Sequence, residues 1–274
     1  MSNALAAQHR AMHKFNIIGT AVSATSYEEV VDAVGNWVSE DTSARASRAK
    51  YICVTSVHGI VTGRQDPEFR GVLNGADVVT PDGMPVVWAL RSFGAKGQQR
   101  VYGPTLMLRL CEAAGRHRHR IFLYGGRPEV LTALCQNLNA RYPELMIVGT
   151  YSPPFRPLTS VEDEHIKQII SDSEADLVFI GISTPKQEKW MAAHRWDFPG
   201  KVLIGVGAAF DFHAKRVLQA PSWMQRAGLE WLFRLFMEPA RLWKRYLLIT
   251  PQFLPLWALQ KMGILRYDDG DRKS

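Results

Sequence analysis

Short apolar runs rich in β-branched residues recur along the first two-thirds of the chain, and stretches with helical periodicity separate them. The apolar runs predict strands over Tyr51–Val57, Asp77–Thr80, Arg120–Tyr124, Leu145–Val148, Leu177–Ile182 and Val202–Val206. The periodic stretches predict helices over Ser26–Glu40, Thr105–Gly115, Pro128–Tyr142, Val161–Ser173 and Gln187–Arg195. This alternation predicts an α/β fold, with a Rossmann-like, mostly parallel sheet and helices on both faces.

The loops that follow the strands are the places to seek chemistry, because ligands of parallel α/β sheets bind beyond the carboxyl ends of the strands. Asp82 comes directly after one predicted strand, in the sequence Thr80-Pro81-Asp82-Gly83. A carboxylate there is a candidate general base for a hydroxyl group. Because Asp and Gly are ordinary turn residues, a turn or helix-cap role for Asp82 stays open.

A second loop combines glycines with the start of a helix. Gly125 and Gly126 directly follow a predicted strand, and Pro128 begins the next predicted helix. Glycines let backbone N–H groups approach a phosphate, and a helix N-terminus favours negative charge. Arg127 could add a charged contact. Glycines also commonly end strands, so a purely structural role is the alternative.

Polar residues crowd the loop after the strand over Leu177–Ile182. Lys186 could neutralise a phosphate, while Gln187 and Glu188 could bind hydroxyl groups. The alternative is an ordinary helix start that contains Pro185 and a first-turn acid.

A later segment, Gly205–Asp211, contains part of a G-x-G-x-x-G dinucleotide motif. It lacks the final glycine and comes late in the chain, so we do not expect a dinucleotide site there.

A change in composition near Pro221 predicts a second unit. Between Gly228 and Tyr267, six basic residues outnumber two acidic ones and are mixed with Trp, Phe and Leu. This mixture is typical of helices at a membrane interface, where aromatic rings lie at the headgroups and cations pair with lipid phosphates. A terminal helix packed on the core is the plainer alternative. We predict a catalytic domain over residues 1–220 and a helical, membrane-binding appendage with a polar tail over residues 221–274.

Charge spacing predicts two helices in this appendage. Residues of alternating sign recur every fourth position and predict one helix with an ion-paired face: Arg226, Glu230, Arg234 and Glu238. Pro239 interrupts that helix and suits the first turn of the next. Three cations fall on one side of the second helix: Arg241, Lys244 and Arg245.

Composition narrows the class of protein. The 274 residues are 46% apolar and 22% charged, which is typical of a globular protein. Three widely spaced cysteines without a C-x-x-C motif favour a reducing compartment over a disulfide scaffold or a zinc site. No apolar run is long enough for a transmembrane helix, and the first residues make a poor signal peptide.

The net charge of +7 indicates a polyanionic partner: a nucleic acid, a phosphorylated substrate or an anionic membrane. No zinc finger, RNP-like segment or helix-turn-helix signature is present, so we do not expect nucleic acid. No Asp-x-Asp follows a core strand, which favours a metal-free site built from Arg, Lys and helix N-termini.

Seven motifs follow one another along the chain: T-P-D-G-M-P-V-V-W (80–88), R-V-Y-G-P-T-L (100–106), L-Y-G-G-R-P-E-V (123–130), G-I-S-T-P-K-Q-E-K-W (181–190), G-V-G-A-A-F-D-F (205–212), R-V-L-Q-A-P-x-W (216–223) and L-E-W-L-F-R-L-F-x-E-P-x-R (229–241). In this order they resemble the WecG/TagA/CpsF family, glycosyltransferase family 26. The resemblance runs from about residue 15 to residue 250. Each motif is modest alone, but their order is specific.

The resemblance implies an inverting, metal-independent transferase that needs no cofactor. Such enzymes move a sugar from a UDP-sugar to a sugar on undecaprenyl diphosphate. They serve cell-surface polysaccharide or teichoic-acid synthesis at the inner face of the cell membrane, so a cytoplasmic, peripherally attached protein is expected. The family also includes oligomers, and a homo-oligomer is therefore a further expectation.

The resemblance also assigns roles to residues. The aspartate of the D-G motif, Asp82, corresponds to the proposed base. Substrate contacts are expected from Thr55, Ser56, Arg100, Gly125, Gly126, Pro185, Lys186, Gln187, Glu188 and Asp211. Basic residues of the appendage are expected at the membrane and the acceptor diphosphate: Arg234, Arg241, Lys244 and Arg245. Ser56 departs from the family, which usually has asparagine there, so this position keeps a hydroxyl but loses an amide.

Two other functions fit parts of the pattern. An NAD-dependent sugar oxidoreductase would also have alternating strands and helices, although the glycine motif is incomplete. A non-catalytic scaffold that brings polysaccharide enzymes to the membrane would tolerate replacement of Asp82 and Gln187.

Overall fold

The computed structural model describes residues 12–39 and 48–267 and has an α/β fold. The strands are β1 (Lys14–Ile17), β2 (Thr20–Ser23), β3 (Lys50–Thr55), β4 (Val78–Pro81), β5 (Arg120–Gly125), β6 (Met146–Tyr151), β7 (Leu177–Gly181) and β8 (Val202–Gly205). The helices are α1 (Tyr27–Ser39), α2 (Val57–Gln65), α3 (Pro67–Asn74), α4 (Met84–Ser92), α5 (Gly103–His117), α6 (Pro128–Arg141), α7 (Ser160–Asp172), α8 (Lys186–His194), α9 (Ala209–His213), α10 (Ser222–Arg226), α11 (Glu230–Met237), α12 (Pro239–Trp243) and α13 (Phe253–Lys261). A π-helical turn (Lys244–Ile249) and a 3₁₀ turn (Thr250–Gln252) connect α12 to α13.

Six strands form one sheet in the order β4-β3-β8-β7-β5-β6, and every neighbouring pair is parallel. These are the six predicted strands, so the predicted parallel sheet is confirmed. A separate antiparallel pair, β1 with β2, was not predicted. The predicted end of the first helix, Glu40, lies outside the described residues.

Both faces of the sheet are covered, because its strands are apolar on both sides. In β3, Cys53 belongs to one hydrophobic core and Ile52 to the other. The first core takes its helical side chains mainly from α2, α3, α4, α7, α8 and α13. The second takes them from α1, α5, α6 and α9. Since parallel strands are buried on both faces, near-continuous apolar runs are what their sequences require.

The end of the described chain returns to the first core. Phe253 of α13 is fully buried there. Trp257 Nε1 donates a hydrogen bond to Ser92 Oγ at 3.0 Å. Gln260 Nε2 donates to the carbonyl of Asn16 at 2.8 Å, and its Oε1 accepts from the backbone N–H of Ile18 at 2.8 Å. The domain boundary near residue 220 stays a prediction, and residues 268–274 of the predicted tail lie outside the described residues.

The single ion-paired helix predicted over Arg226–Glu238 is wrong. Gly228 has a φ of +74°, which separates α10 from α11. A Cβ there would lie 3.2 Å from Met84 Cβ, so the chain turns closely against α4 at a residue without a side chain. Arg226 and Glu230 therefore lie on different helices. Arg234 and Glu238 remain paired at 3.7 Å, and Pro239 opens α12 as predicted.

Within the described part of the chain, no helix combines the length and the apolar character needed to cross a membrane.

Candidate active site

A cavity of about 410 Å³ lies at the carboxyl ends of β3, β4, β7 and β8, and the C-terminal segment closes one side of it. Eight of the predicted site residues line it: Ser56, Asp82, Arg100, Gln187, Asp211, Arg234, Arg241 and Arg245. The strand ends bring Ser56 and Asp82 together, and the C-terminal segment adds Arg245, which contacts Ser56 across 189 positions of the sequence.

Asp82 lies at the first residue after β4. Its backbone N–H donates to the carbonyl of Thr55 at 2.9 Å, which fixes Asp82 beside the end of β3. Gly83 follows with a φ of +113°, a conformation that L side chains rarely adopt, and α4 then begins. The Asp82 side chain is 18% exposed and faces the cavity. This position suits a carboxylate that must meet a substrate.

The Arg100 guanidinium lies between two carboxylates. Its Nε and Nη2 donate to Asp82 Oδ1 at 3.0 and 2.8 Å. Its Nη1 forms an ion pair with Glu230 Oε2 at 2.8 Å. Burial opposes the charge on Arg100, yet the two carboxylates more than offset this effect and raise its pKa. Arg100 therefore holds Asp82 in place.

Gln187 presents part of its amide to the cavity. Its Oε1 accepts from the backbone N–H of Gly207 at 3.1 Å, and its Nε2 donates to Glu188 Oε1 at 2.9 Å. One N–H of the amide remains for an acceptor atom, since an amide nitrogen has two donors. Thr184 Oγ1 also donates to Glu188 Oε1 at 2.9 Å. These hydrogen bonds hold the Gln187 amide in one orientation and leave one N–H that can donate to a ligand in the cavity.

Glu188 does not face the cavity, contrary to the expectation that it binds substrate hydroxyls. Its side chain is buried behind Gln187, and its Oε2 has no hydrogen-bond partner among the described residues. Burial raises the pKa of Glu188, although hydrogen bonds from Gln187 and Thr184 act in the opposite direction. The carboxyl group therefore supports the orientation of Gln187 from behind.

The raised pKa of Glu188 predicts a pH-dependent stability difference. A carboxyl group whose pKa is higher when folded stabilises the protein most below its unfolded pKa, and that contribution is lost as pH rises through the folded pKa. Glu188→Gln resembles the protonated group. We therefore expect its free energy of unfolding, relative to the unsubstituted protein, to increase as pH rises above the ordinary pKa of a glutamate carboxyl group in urea titrations. The exposed Glu144→Gln is the control and should show no such trend; a decrease for Glu188→Gln would contradict the prediction.

Other predicted site residues do not reach the cavity lining. Gly125 serves close packing: a Cβ there would lie 2.6 Å from the backbone carbon and oxygen of Gly181. Gly126 donates its N–H to the same carbonyl at 3.3 Å. The remaining residues outside the lining are Thr55, which is buried, Pro185, and the exposed Lys186 and Lys244. The glycine pair and Lys186 thus lie outside the lining of this cavity, and their contact with a phosphate stays a prediction.

The cavity receives its positive charge from the C-terminal segment. Arg245 Nη2 donates to Ser56 Oγ at 3.2 Å, and burial lowers the pKa of Arg245. No carboxylate of the described chain lies within ion-pair distance of Arg245. Arg234 and Arg241 also line the cavity, although both are near Glu238. Arg245 is only half-buried, but a cation withdrawn from water without an anion is still costly, so we expect a bound anion beside it.

Sequence reasoning missed several residues of the cavity. His58 lies there with a buried Nδ1 that has no partner in the described part of the chain, and burial together with Arg245 lowers its pKa to about 4. Tyr102, Glu230 and Trp231 also line it. Tyr102 and Glu230 lie within the family motifs 100–106 and 229–241. Their place in these motifs could have identified them as site residues. Asp211 was expected, and burial raises its pKa.

Two comparisons bear on this site. The model of one protein family, described as the Glycosyl transferase WecG/TagA/CpsF family, matches residues 15–266. A protein of Bacillus subtilis (strain 168) is 35% identical over 198 residues, which cover 72% of this chain and 75% of that protein. A protein of Bacillus spizizenii (strain W23) is 34% identical over 186 residues, covering 68% and 70%. Both are named N-acetylglucosaminyldiphosphoundecaprenol N-acetyl-beta-D-mannosaminyltransferase.

Proposed function

The chain belongs to the WecG/TagA/CpsF family of glycosyl transferases, and on this basis we propose that it transfers an N-acetylhexosamine from a UDP-sugar to a sugar on undecaprenyl diphosphate. The observation that carries the proposal is the cavity itself. Its lining includes the carboxylate of Asp82 and the guanidinium of Arg245, which has no carboxylate within ion-pair distance among the described residues. A base and an anion site within one cavity are what sugar transfer from a nucleotide diphosphate requires.

In the proposed reaction, the acceptor hydroxyl attacks C1 of the donor sugar and gives its proton to the Asp82 carboxylate. The bond from C1 to the diphosphate oxygen breaks, and UDP leaves with the electron pair. Attack opposite the leaving group inverts C1, so an α-linked donor gives a β-linked product. The word "beta" in the names of both relatives agrees with this outcome.

We further propose that arginines neutralise the substrate diphosphates without a divalent cation. The guanidinium groups of Arg234, Arg241 and Arg245 converge on the cavity and can act as preorganised partners for phosphate oxygens. The single free N–H of Gln187 can meet a sugar or phosphate oxygen. Because these groups are already in place, they need little reorganisation as charge develops on UDP.

The purified protein should be incubated with UDP-N-acetylmannosamine, UDP-N-acetylglucosamine or UDP-glucose and a short-chain polyprenyl diphosphate carrying N-acetylglucosamine. We expect one N-acetylhexosamine donor to give a product heavier by one sugar residue in mass spectrometry, with a β linkage in NMR, and equal rates with and without EDTA. Absence of transfer from every donor would contradict the proposal. Reduction of NAD with a sugar nucleotide would instead favour an oxidoreductase.

The lipid acceptor suggests where the protein acts. We propose that the C-terminal segment attaches reversibly to the inner face of the membrane, because exposed apolar and cationic side chains occur together there. Trp223, Trp243, Leu247, Leu248 and Leu254 are exposed apolar residues of this segment, and Lys244 is an exposed cation within it. Such a surface suits lipid headgroups and the upper acyl chains.

A further inference from the structure

Glu230 is an acidic residue of the C-terminal segment that reaches the catalytic side of the cavity. It opens α11, and its side chain is 12% exposed. Its Oε2 lies 2.8 Å from Arg100 Nη1, and its Oε1 accepts a hydrogen bond from the Tyr102 hydroxyl at 3.0 Å. The same Arg100 side chain holds Asp82 Oδ1 and lies over the Tyr102 ring, with 4.1 Å from its Cζ to the ring centroid. Four side chains therefore form one connected unit.

This unit leaves Arg100 little capacity for a diphosphate. Two of its guanidinium nitrogens are directed at Asp82 and the third is paired with Glu230. With Asp82 alone, Arg100 would form a neutral pair. With Glu230 added, the unit carries one net negative charge. Glu230 therefore balances the positive charge of Arg100 and holds the guanidinium group that orients the Asp82 carboxylate.

Other ionisable groups share this environment. Several titratable groups besides Arg100 and Glu230 lie near Asp82 or line the cavity: Tyr27, His58, Tyr102, Asp211, Arg234, Arg241, Arg245 and Tyr246. Burial, followed by the nearby Glu230, raises the pKa of Tyr102, so its hydroxyl stays protonated and donates. Arg245 is close enough to interact electrostatically with Asp82. The negative charge of Glu230 offsets the positive charge of Arg245, and both residues belong to the C-terminal segment.

We propose that Glu230 is a positioning residue for sugar transfer: it fixes Arg100 and Tyr102 and keeps the Asp82 unit negatively charged, so the C-terminal segment completes the base. This inference rests on the proposed function. It also gives the segment a role in the chemistry that is independent of membrane contact.

The test uses Glu230→Gln, which removes the charge but keeps an oxygen for the Tyr102 hydroxyl. With the active UDP-sugar, we expect kcat to fall roughly 10-fold and KM for the donor to change less than about 2-fold. The midpoint of the acidic limb of kcat/KM against pH should move to lower pH, because the substitution removes a negative charge beside the base. Glu230→Asp retains the charge and should retain the midpoint. Glu174→Gln, which breaks an ion pair with Arg120 away from the cavity, should change neither quantity.

A second comparison separates positioning from a general structural effect. If Glu230 acts through Asp82, adding Glu230→Gln to Asp82→Asn should reduce the residual rate by less than about 2-fold. An unmoved midpoint, an equal shift in Glu230→Asp, or a full additional loss in the double variant would overturn the inference. Absence of transfer by the unsubstituted protein would instead overturn the proposed function. If Glu230→Gln fails to fold by circular dichroism, Glu230→Asp alone still decides, because a midpoint that shifts despite the retained charge contradicts the proposal.

Discussion

Replacing Asp82 with Asn should lower the rate of sugar transfer by about 100- to 10,000-fold, which corresponds to about 3–5 kcal/mol of transition-state stabilisation. The amide oxygen of Asn can still accept from Arg100, so the geometry around Arg100 is retained while the proton acceptor is lost. UDP binding should persist, since Asn keeps the shape of Asp82 and the expected anion site is the guanidinium of Arg245, which this substitution leaves in place. Single-turnover rates and calorimetric titration with UDP measure the two effects separately.

Two further variants make this result specific to Asp82. Asp172→Asn removes a carboxylate at the end of α7, outside the cavity lining, and should leave the rate unchanged. Asp211→Asn removes the second aspartate that lines the cavity, and we expect a weaker effect because no hydrogen bond to Arg100 or another described cation fixes its side chain. Near-normal transfer by Asp82→Asn, with loss of transfer in Asp211→Asn, would move the base to Asp211.

The parallel sheet was predictable because each of its strands is an apolar run that both cores require. The helices predicted from amphipathic periodicity also match. In contrast, α2 buries residues on several sides, including Val57, Ile60 and Val61, so its sequence has little helical periodicity. The β1–β2 pair has strands of four residues, which are too short for a clear alternation. Burial on all sides and short length removed the signals on which sequence reasoning depends.

The site was predictable where backbone topology decides it. Asp82 and Ser56 follow parallel strands, so their proximity results from the sheet. Sheet topology does not reveal where a contact in the folded chain overrides a pattern in the local sequence. The spacing of Arg226, Glu230 and Arg234 favours pairs within one helix, yet Gly228 ends the helix and Glu230 pairs with Arg100 instead. Similarly, Gly125 matches a phosphate loop in sequence but is required by the close backbone of Gly181.

Removing apolar side chains from the C-terminal surface should greatly weaken membrane binding. Phe236, Leu247 and Leu248 are 76%, 56% and 55% exposed. Full burial of such side chains contributes about 1.5–3 kcal/mol each, so even about 1 kcal/mol apiece gives about 3 kcal/mol for the triple change to Ser. We therefore expect roughly 100-fold weaker partitioning into anionic vesicles in sedimentation assays. Binding of the unsubstituted protein should also fall as salt increases, because cations such as Lys244 contribute.

Point variants test this better than removal of the segment, because Phe253 is buried in the main core and a chain ending near residue 220 would lose that packing. The matched control changes three other exposed apolar residues, Phe155, Val161 and Trp196, to Ser. They lie on the predicted catalytic domain, so their loss should leave vesicle binding unchanged. Equal weakening by both triple variants would mean that general surface hydrophobicity causes the binding. If the C-terminal triple variant binds vesicles like the unsubstituted protein, the segment serves the cavity alone, through Glu230 and Arg245.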